Sequence, residues 1–424
     1  MSAGQGQRGT AFLRPRIRAA RNPGERGVEY IPPAIIFNPN CIDGIRMKQR
    51  ASFFIRDGIK NFHPAYFAMV MATGIVSVAF KAMVFPDIAE ILFVLNLVFY
   101  PILCFMLIIR ILRFGQSLLA DLSILRRTWP FLTFVVGTNT VGMQLVIFLQ
   151  AGGLAGVLWL MALVGWLVCT GFIIINLANL ANAPKKSIGD SINGATLLTV
   201  VSMVSVSLLG IHLLDSIAID ARYGYFAIWA FWATGFILYL FIARWIIYRL
   251  FFCRFQRSDW DAPYWICMGA PAIITLTGSE FVMNMPAVSL SESMRAITLW
   301  MTFFAWVIGT CWIPYLLVMD ILKLTHIPGS EGPAPLWIRI FPWSRLAFGG
   351  KYHLFNPPSW SRVFPMGMYT ACMLSLAKVT GYGFLESISR YWGWFSLLIW
   401  SLTLIGTLRS LIPRSCRVED TPQL

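Results

Sequence analysis

Glu280 and His212 are the residues of this chain best suited to carrying charge or protons within an apolar environment. Glu280 interrupts the apolar run 263–286, and His212 lies near the end of the run 193–214. An ionisable side chain inside a membrane-length apolar run marks an ion or proton pathway by default, and histidine titrates near neutral pH. We therefore predict that both are candidates for proton coupling. In the competing interpretation, Glu280 is hydrogen-bonded to a neighbouring group and His212 is an interfacial histidine.

The sequence lacks the residue groups that membrane enzymes and ATP-driven proteins need. Its four histidines, at positions 63, 212, 326 and 353, are too dispersed for a di-iron histidine box. No GxxxxGK(S/T) motif is present to hold ATP phosphates, and the eight cysteines occur singly, without CxxC spacing. We expect no metal, no cofactor, no disulfide framework and no enzymatic activity. A membrane-embedded enzyme or accessory subunit built around Glu280 is the least favoured alternative.

Small and hydroxyl-bearing residues recur in every second apolar run. In the run 129–150, four such residues follow the spacing i, i+4, i+7 and i+11, which places Thr133, Gly137, Thr140 and Gln144 on one helix face. Helices beside a water-accessible path need such side chains, whereas helices beside lipid carry bulky apolar ones. The predicted path-lining residues are Thr73, Gly74, Ser77, Thr138, Thr140, Thr199, Ser202, Thr275 and Ser279. The alternative for any single run is that its small residues only pack helices together.

These residues are embedded in a chain with the composition of a polytopic membrane protein. Of its 424 residues, 57% are hydrophobic and 12% are charged, whereas about 25% of the residues of a soluble domain are charged. This composition excludes a cytosolic enzyme, a secreted module and a disordered protein. A helix needs about 20 apolar residues to cross a bilayer. Windows of this length predict ten spans, at 64–84, 89–110, 129–150, 154–180, 193–214, 223–250, 263–286, 295–322, 359–380 and 391–412.

The distribution of basic residues predicts the orientation of the chain. With ten spans, 29 of the 34 Lys and Arg residues fall on the side of both termini and 5 on the opposite side. Cytoplasmic loops are enriched in basic residues, so both termini are predicted to be cytoplasmic. The net charge of +15 is then explained by the orientation of the chain in the membrane. It needs no polyanionic partner, and we expect no binding of nucleic acid. Residues 1–60 form a predicted basic tail, with 1–46 a candidate start-site extension; residues 61–412 form the ten-span domain and 413–424 a short cytoplasmic tail.

The alternation of small, polar spans with bulky ones predicts an all-α integral membrane fold. Ten transmembrane helices would form five hairpins around a central pore, with the odd-numbered spans inside. Away from span ends, Glu280 is the one acid in the odd-numbered spans, and no Lys or Arg lies deep within them. A pore of hydroxyls with a positive cytoplasmic mouth suits a small anion better than a cation. A channel needs only a gate, whereas a proton-coupled carrier also needs a titrating group.

Two segments of the chain resemble a known family. Residues 61–77, NFHPAYFAMVMATGIVS, resemble the entry helix of the tellurite-resistance/four-carbon dicarboxylate transporter (TDT) family, also named the voltage-dependent or slow-type anion channel family. In this segment Ala72 stands where the family usually has Gly. Residues 360–369, WSRVFPMGMY, are similar to the family's ninth helix. The resemblance covers about residues 60–412.

The resemblance implies a ring of five helical hairpins and a homotrimer with a separate pore in each protomer. It implies that Phe364 is an aromatic gate across the pore, and it adds Phe67, Pro365 and Gly367 to the expected lining. Transport of small inorganic anions or dicarboxylates such as malate is expected, and a proton-coupled dicarboxylate or sulfite carrier is the alternative. The resemblance also suggests a link to tellurite resistance. We expect a multi-pass protein of the bacterial inner membrane, with the lipid bilayer and a small anion as its partners.

Overall fold

The computed structural model describes residues 58–181, 192–214, 221–256, 259–284, 292–326, 335–348 and 354–411. This part of the chain is helical and contains no β-strand. Its ten helices of 16 or more residues are α1 (Phe67–Ala82), α2 (Pro86–Leu122), α3 (Leu132–Leu149), α4 (Gly152–Ala181), α5 (Leu198–Leu213), α6 (Ala221–Phe252), α7 (Ile266–Asn284), α8 (Glu292–Thr325), α9 (Trp360–Thr380) and α10 (Phe384–Leu411). Most of the predicted N-terminal tail and all of the predicted C-terminal tail lie outside the described residues.

Nine of the described helices, with the turns that lead into them, are long and apolar enough to cross a membrane. The all-α integral membrane fold predicted from the sequence is therefore confirmed for this part of the chain. The helix outside this set is α9, which carries Ser361, Arg362, Ser375 and Lys378 among its apolar residues. Its 21 residues would reach about 30 Å at a rise of about 1.5 Å per residue, the thickness of a bilayer core. We retain α9 as a proposed tenth span.

The odd-numbered helices form the inside of the structure. Helix α1 contacts α3, α3 contacts α5, α5 contacts α7, α7 contacts α9, and α9 contacts α1, so that the five close a ring. Each even-numbered helix packs against the odd-numbered helix that precedes it. In the most apolar window of each span, 67–94% of the residues are buried for α1, α3, α5 and α7, against 17–39% for the even-numbered helices. The ring is therefore enclosed by outer helices whose free faces are available to lipid.

The five inner helices begin in similar ways. A 3₁₀ turn leads into each of them, and these turns are Pro64–Tyr66, Trp129–Phe131, Gly194–Leu197, Ala262–Trp265 and Pro357–Ser359. Four of the turns have a proline in their first two positions, which removes a backbone N–H that would lack a helical partner. In the turn before α5, Asn193 Oδ1 instead accepts a hydrogen bond from the backbone N–H of Ala195 at 2.9 Å. We call the end of the ring where these helices begin its N-terminal end, and the opposite end its C-terminal end.

Helix α2 is longer than the span predicted for it. It covers Pro86–Leu122 and bends at Phe114, where φ is −131° and ψ is 31°, whereas the sequence predicted a span over 89–110 followed by a loop. The predicted span lies within this longer helix, which continues past Arg110. Arg110 is 1% exposed and forms an ion pair with Asp121 of the same helix, so the charge is neutralised inside the structure and the helix continues.

Candidate functional site

A small cavity lies at the centre of the ring, and all five inner helices line it. Its volume is about 20 Å³, which is room for about one water molecule. The lining residues are Ile75 and Val78 of α1, Asn139, Thr140 and Met143 of α3, Ser205, Leu208 and Leu209 of α5, Ile273 of α7 and Met368 of α9. Most of these side chains are apolar, and the space is too small for a hydrated ion. We call this space the axial cavity.

Glu280 and His212, which the sequence singled out separately, lie together in the structure. The distance between His212 Nε2 and Glu280 Oε2 is 3.5 Å. Glu280 Oε1 accepts a hydrogen bond from the Ser375 hydroxyl at 3.2 Å, and Glu280 Oε2 accepts one from Asn284 Nδ2 at 2.9 Å. The side chains of His212 and Glu280 are 25% and 17% exposed. We call these four residues the Glu280 cluster. The Glu280 carboxylate accepts two hydrogen bonds, yet its side chain remains partly exposed.

The Glu280 cluster lies on the helix faces that line the axial cavity. Its members His212, Glu280 and Ser375 follow the lining residues Ser205, Ile273 and Met368 by seven positions each. Seven positions are two helical turns, which keeps the side chains on one face and moves them about 10 Å along the axis. The cluster therefore lies at the C-terminal end of the ring, above the axial cavity.

An apolar layer separates the axial cavity from the N-terminal end of the ring. One residue of each inner helix lies one turn before a lining residue of the cavity: Met71, Val136, Val201, Gly269 and Phe364. Residues four positions apart share a helix face, so Phe364 is expected on the same face as Met368. The side chain of Phe364 is fully buried. The glycine in the layer allows α9 to approach closely, since a Cβ at Gly269 would lie 2.8 Å from Pro365 Cγ. We call these five residues the neck.

A larger cavity opens at the N-terminal end of the ring. It has a volume of about 300 Å³, and its lining residues are Arg126, Asp259, Trp260, Asp261, Lys323, Leu324, Leu346, Leu354, Asn356, Ser359 and Arg362. The lining combines three basic side chains with two carboxylates. Arg362 lies in the first turn of α9, and its guanidinium is directed at Asp320 of outer helix α8. We call this larger space the N-terminal cavity.

A buried ion pair joins the start of α9 to the end of α8 beside this cavity. Asp320 is fully buried and accepts hydrogen bonds from Arg362 Nε at 2.7 Å and Nη2 at 2.8 Å. The indole N–H groups of Trp343 and Trp260 also donate to Asp320, at 2.8 and 3.3 Å. One carboxylate thus holds together α8, α9, the segment before α7 and the turn around Trp343. This ion pair was not predicted from the sequence, although an acid inside the predicted span 295–322 was a signal for it.

Several hydroxyls that the sequence assigned to the path are directed at outer helices. Thr73 accepts a hydrogen bond from Trp400 Nε1 of α10 at 2.9 Å, and the Ser77 hydroxyl donates to the carbonyl of Ala89 in α2 at 2.7 Å. The Thr138 hydroxyl lies 3.0 Å from the Tyr100 hydroxyl of α2. The Thr275 hydroxyl donates within α7 to the Pro271 carbonyl at 2.8 Å and reaches the Thr302 carbonyl of α8 at 3.3 Å. Such contacts are expected under the alternative interpretation, in which the small and hydroxyl-bearing residues only pack helices together.

The other residues predicted to line the path differ in what surrounds them. Thr140 is among the residues that line the axial cavity. Thr199 and Ser202 donate to carbonyls one turn earlier in the same chain segment, and Ser279 is buried without a hydrogen-bond partner among the described residues. The ring of Phe67 packs edge-on against Phe134 with centroids 5.2 Å apart. Three others lie at close helix contacts: Gly74 faces Thr140, Pro365 faces Gly269 and Gly367 faces Val76.

The described residues contain no group of three or more His, Cys, Asp or Glu side chains that could hold a metal ion.

Outside the spans, Arg345 is buried beside the N-terminal cavity, and burial lowers the pKa of its guanidinium. Its Nη1 donates to the carbonyls of Leu324 and His326 at 2.6 and 3.0 Å. Arg345 therefore ties the segment after α8 back to the end of that helix.

The described part of the chain thus forms a ring of five buried helices enclosed by five outer helices. Residues 61–408 match the family model described as voltage-dependent anion channel. The chain belongs to the voltage-dependent anion channel family. Two uncharacterized transporters of Methanocaldococcus jannaschii are 22% and 23% identical to it; each alignment covers 83% of this chain and 96% or 94% of the relative. An uncharacterized membrane protein of Mycobacterium tuberculosis is 26% identical over 175 residues, which are 41% of this chain and 77% of the relative.

Membership in the voltage-dependent anion channel family gives the ring its general role. This member is a multi-pass membrane protein of a transporter and channel family. The family assignment agrees with the resemblance seen in residues 61–77 and 360–369.

Proposed function

We propose that this protein conducts small anions along the axis of the ring and that the neck closes the path. The observation that carries the proposal is that one buried residue of each inner helix lies one turn before the lining of the axial cavity, toward the N-terminal end of the ring. Narrow apolar constrictions exclude hydrated ions by steric bulk and by dewetting. Phe364 supplies the largest side chain of the neck and is the proposed gate.

The proposed orientation places the N-terminal end of the ring in the cytoplasm. This choice follows the distribution of basic residues, 29 on the side of the termini and 5 on the other. The Glu280 cluster would then lie at the outer mouth, in the bacterial inner membrane. We further propose a homotrimer with one path per protomer, as expected from the resemblance to the family.

The proposed substrates are small inorganic anions or dicarboxylates such as malate. A proton-coupled carrier of dicarboxylate or sulfite is the second candidate, and the observation that favours it is the contact between His212 and Glu280. A histidine beside a carboxylate at a path mouth can bind and release a proton while an anion passes. Tellurite resistance is the proposed cellular consequence, if tellurite is among the anions carried.

The test is anion flux into proteoliposomes that contain the wild type or the Phe364→Ala variant. Chloride and radiolabelled malate are measured with and without a pH gradient. We expect Phe364→Ala to raise passive flux at least about tenfold, equivalent to a barrier lowered by about 1.4 kcal/mol. Phe241→Ala is the matched control, because Phe241 is 57% exposed on outer helix α6 and its loss should leave flux unchanged.

The outcomes separate the two candidates. Passive flux in Phe364→Ala and little flux in the wild type support a channel closed by the neck. Malate uptake by the wild type that requires a proton gradient supports the carrier. If neither protein moves any of these anions, both candidates fail.

A further inference from the structure

Residues 335–348, between α8 and α9, carry an exposed apolar face beside an arginine. They contain the short helix Leu336–Ile340, whose first and last residues are 69% and 73% exposed. These two residues share a helix face, and the exposed Arg339 lies beside them, whereas Ile338 is fully buried on the opposite side. We call residues 335–348 the interface segment. We propose that its exposed face binds the phosphate headgroup of an anionic phospholipid.

Hydrogen bonds hold the interface segment to two outer helices. Trp343 Nε1 donates to the Asp320 carboxylate of α8 at 2.8 Å, and Arg345 Nη1 donates to two carbonyls around the end of the same helix at 2.6 and 3.0 Å. Arg409, in the last turn of α10, donates from Nη1 to the carbonyl of Ala347 at 2.9 Å. The exposed face is therefore carried by a segment that is fixed to the ends of α8 and α10.

These contacts place the interface segment at the level where the bilayer core ends. As a tenth span, α9 has 21 residues and a length of about 30 Å, equal to the thickness of the core. Its first turn therefore lies at one boundary of the core. Arg362 in that turn binds the Asp320 carboxylate, to which Trp343 of the interface segment also donates. The segment thus lies in the headgroup region of one leaflet, where amphipathic helices insert their apolar side chains.

The charge of this surface is complementary to an anionic headgroup. The interface segment and residues 400–411 of α10 together contain three arginines and no Asp or Glu. Arg339 forms no ion pair with any described residue, so its guanidinium can pair with a lipid phosphate. The neighbouring Trp337 is 41% exposed, and indole rings favour the headgroup level of a bilayer. Basic side chains near an anionic membrane surface strengthen its binding.

The surroundings of the exposed face favour lipid over a protein partner. A stable protein interface takes about 20 or more residues from each partner, whereas the short helix has four exposed side chains. On α10, which Arg409 ties to the interface segment, Leu408 and Leu411 are 53% and 64% exposed. These leucines lie three positions apart and share a helix face. The exposed face therefore continues the apolar surface that an outer helix presents to lipid.

The test is photo-crosslinking of lipid to the full-length protein in nanodiscs of phosphatidylcholine. A small fraction of the lipid is phosphatidylglycerol or phosphatidylcholine with a diazirine in the acyl chain next to the glycerol, and mass spectrometry measures the yield on residues 335–348. We expect the phosphatidylglycerol probe to give about five times the yield of the phosphatidylcholine probe. Arg339→Gln should remove this preference, since one arginine near the surface accounts for about that factor. Arg339→Lys keeps the charge and should retain most of the preference.

Two further variants separate a defined site from general surface charge. Arg113→Gln is the matched control, because Arg113 is exposed on α2 at the same end of the ring and its loss should leave the yields on residues 335–348 unchanged. Leu336→Ser/Ile340→Ser changes only exposed side chains. It should lower the yields of both probes at least about threefold, because the apolar side chains no longer insert.

The inference is overturned if the two probes crosslink equally to the wild type, if Arg339→Gln keeps the preference, or if Arg113→Gln removes it. It is also overturned if Leu336→Ser/Ile340→Ser leaves both yields unchanged. A smaller number of protomers in that double variant, measured by light scattering, would instead assign the face to a second copy of this chain. Anion flux enters none of these measurements, so failure of the proposed function leaves the lipid site standing.

Discussion

Replacing Asp320 by alanine is expected to be among the most destabilising single changes in the described part of the chain. Asp320 is fully buried, and Arg362, Trp343 and Trp260 donate hydrogen bonds to its carboxylate. The Arg362 side chain is 5% exposed, so solvent cannot replace the lost carboxylate. The variant therefore leaves a buried cation and two indole N–H groups without their acceptor.

The magnitude follows from these contacts. Breaking a buried ion pair by removing one partner costs about 3–5 kcal/mol. Each indole N–H left without an acceptor adds about 1 kcal/mol, but residues that share one network do not add fully. We expect a loss of about 5 kcal/mol in the free energy of unfolding for Asp320→Ala.

The double variant Asp320→Leu/Arg362→Met gives the decisive comparison. Replacing both members of a buried ion pair by apolar residues of similar volume is often neutral or stabilising. Here the two indoles still lack their acceptor, so we expect a loss of about 2 kcal/mol, less than for Asp320→Ala alone. Asp87→Ala, in the exposed first turn of α2, is the control and should cost about 0.5 kcal/mol.

The assay is unfolding in mixed micelles of dodecylmaltoside and increasing SDS, followed by circular dichroism and tryptophan fluorescence. Both signals should report the same order: wild type, control, double variant and Asp320→Ala, from most to least stable. The reasoning is refuted if Asp320→Ala costs less than about 1 kcal/mol, well below the loss of a buried ion pair. It is also refuted if the double variant is less stable than Asp320→Ala.

Three further variants test the C-terminal end of the inner ring and the close contact between α9 and α1. Glu280→Gln and His212→Gln should abolish the dependence of malate uptake on a proton gradient if the Glu280 cluster couples protons, while Ser375→Ala should retain it; uptake that stays proton-dependent in both variants would remove the cluster from the mechanism. Gly367→Val should reduce the yield of folded protein on size-exclusion chromatography, because its Cβ would lie 2.9 Å from Val76 Cγ2 in α1; Gly383→Val, where a Cβ meets nothing within 4 Å, is the control.

Much of the fold could be predicted from hydropathy alone. Apolar windows of membrane length located each of the ten long described helices, although α2 continues to Leu122, past its window, and α10 begins at Phe384, before its own. The window for α2 ends at Arg110, whose charge is neutralised by Asp121 inside the structure, and the helix continues past it. Hydropathy describes each segment separately and therefore contains no information on a partner eleven residues away.

The candidate site could be predicted only in part. Glu280 and His212 stood out because an ionisable group inside an apolar run has few structural explanations, and the structure brings them together. Asp320 carried the same signal, but it lies in a span that the sequence assigned to the lipid side. Its partner Arg362 lies 42 residues away in the chain, so their pairing depends on how α8 and α9 pack.

The sequence by itself determined that this chain is a polytopic helical membrane protein of the anion channel family, and which residues of each helix share a face. Only the tertiary structure decided what each face meets. Thr73, Ser77 and Thr138 face outer helices, whereas Ile75 and Met368 line the axial cavity. The physical reason is that lipid and neighbouring helices are both apolar surroundings. Helical periodicity alone therefore cannot distinguish a face that packs against another helix from one that lines the path.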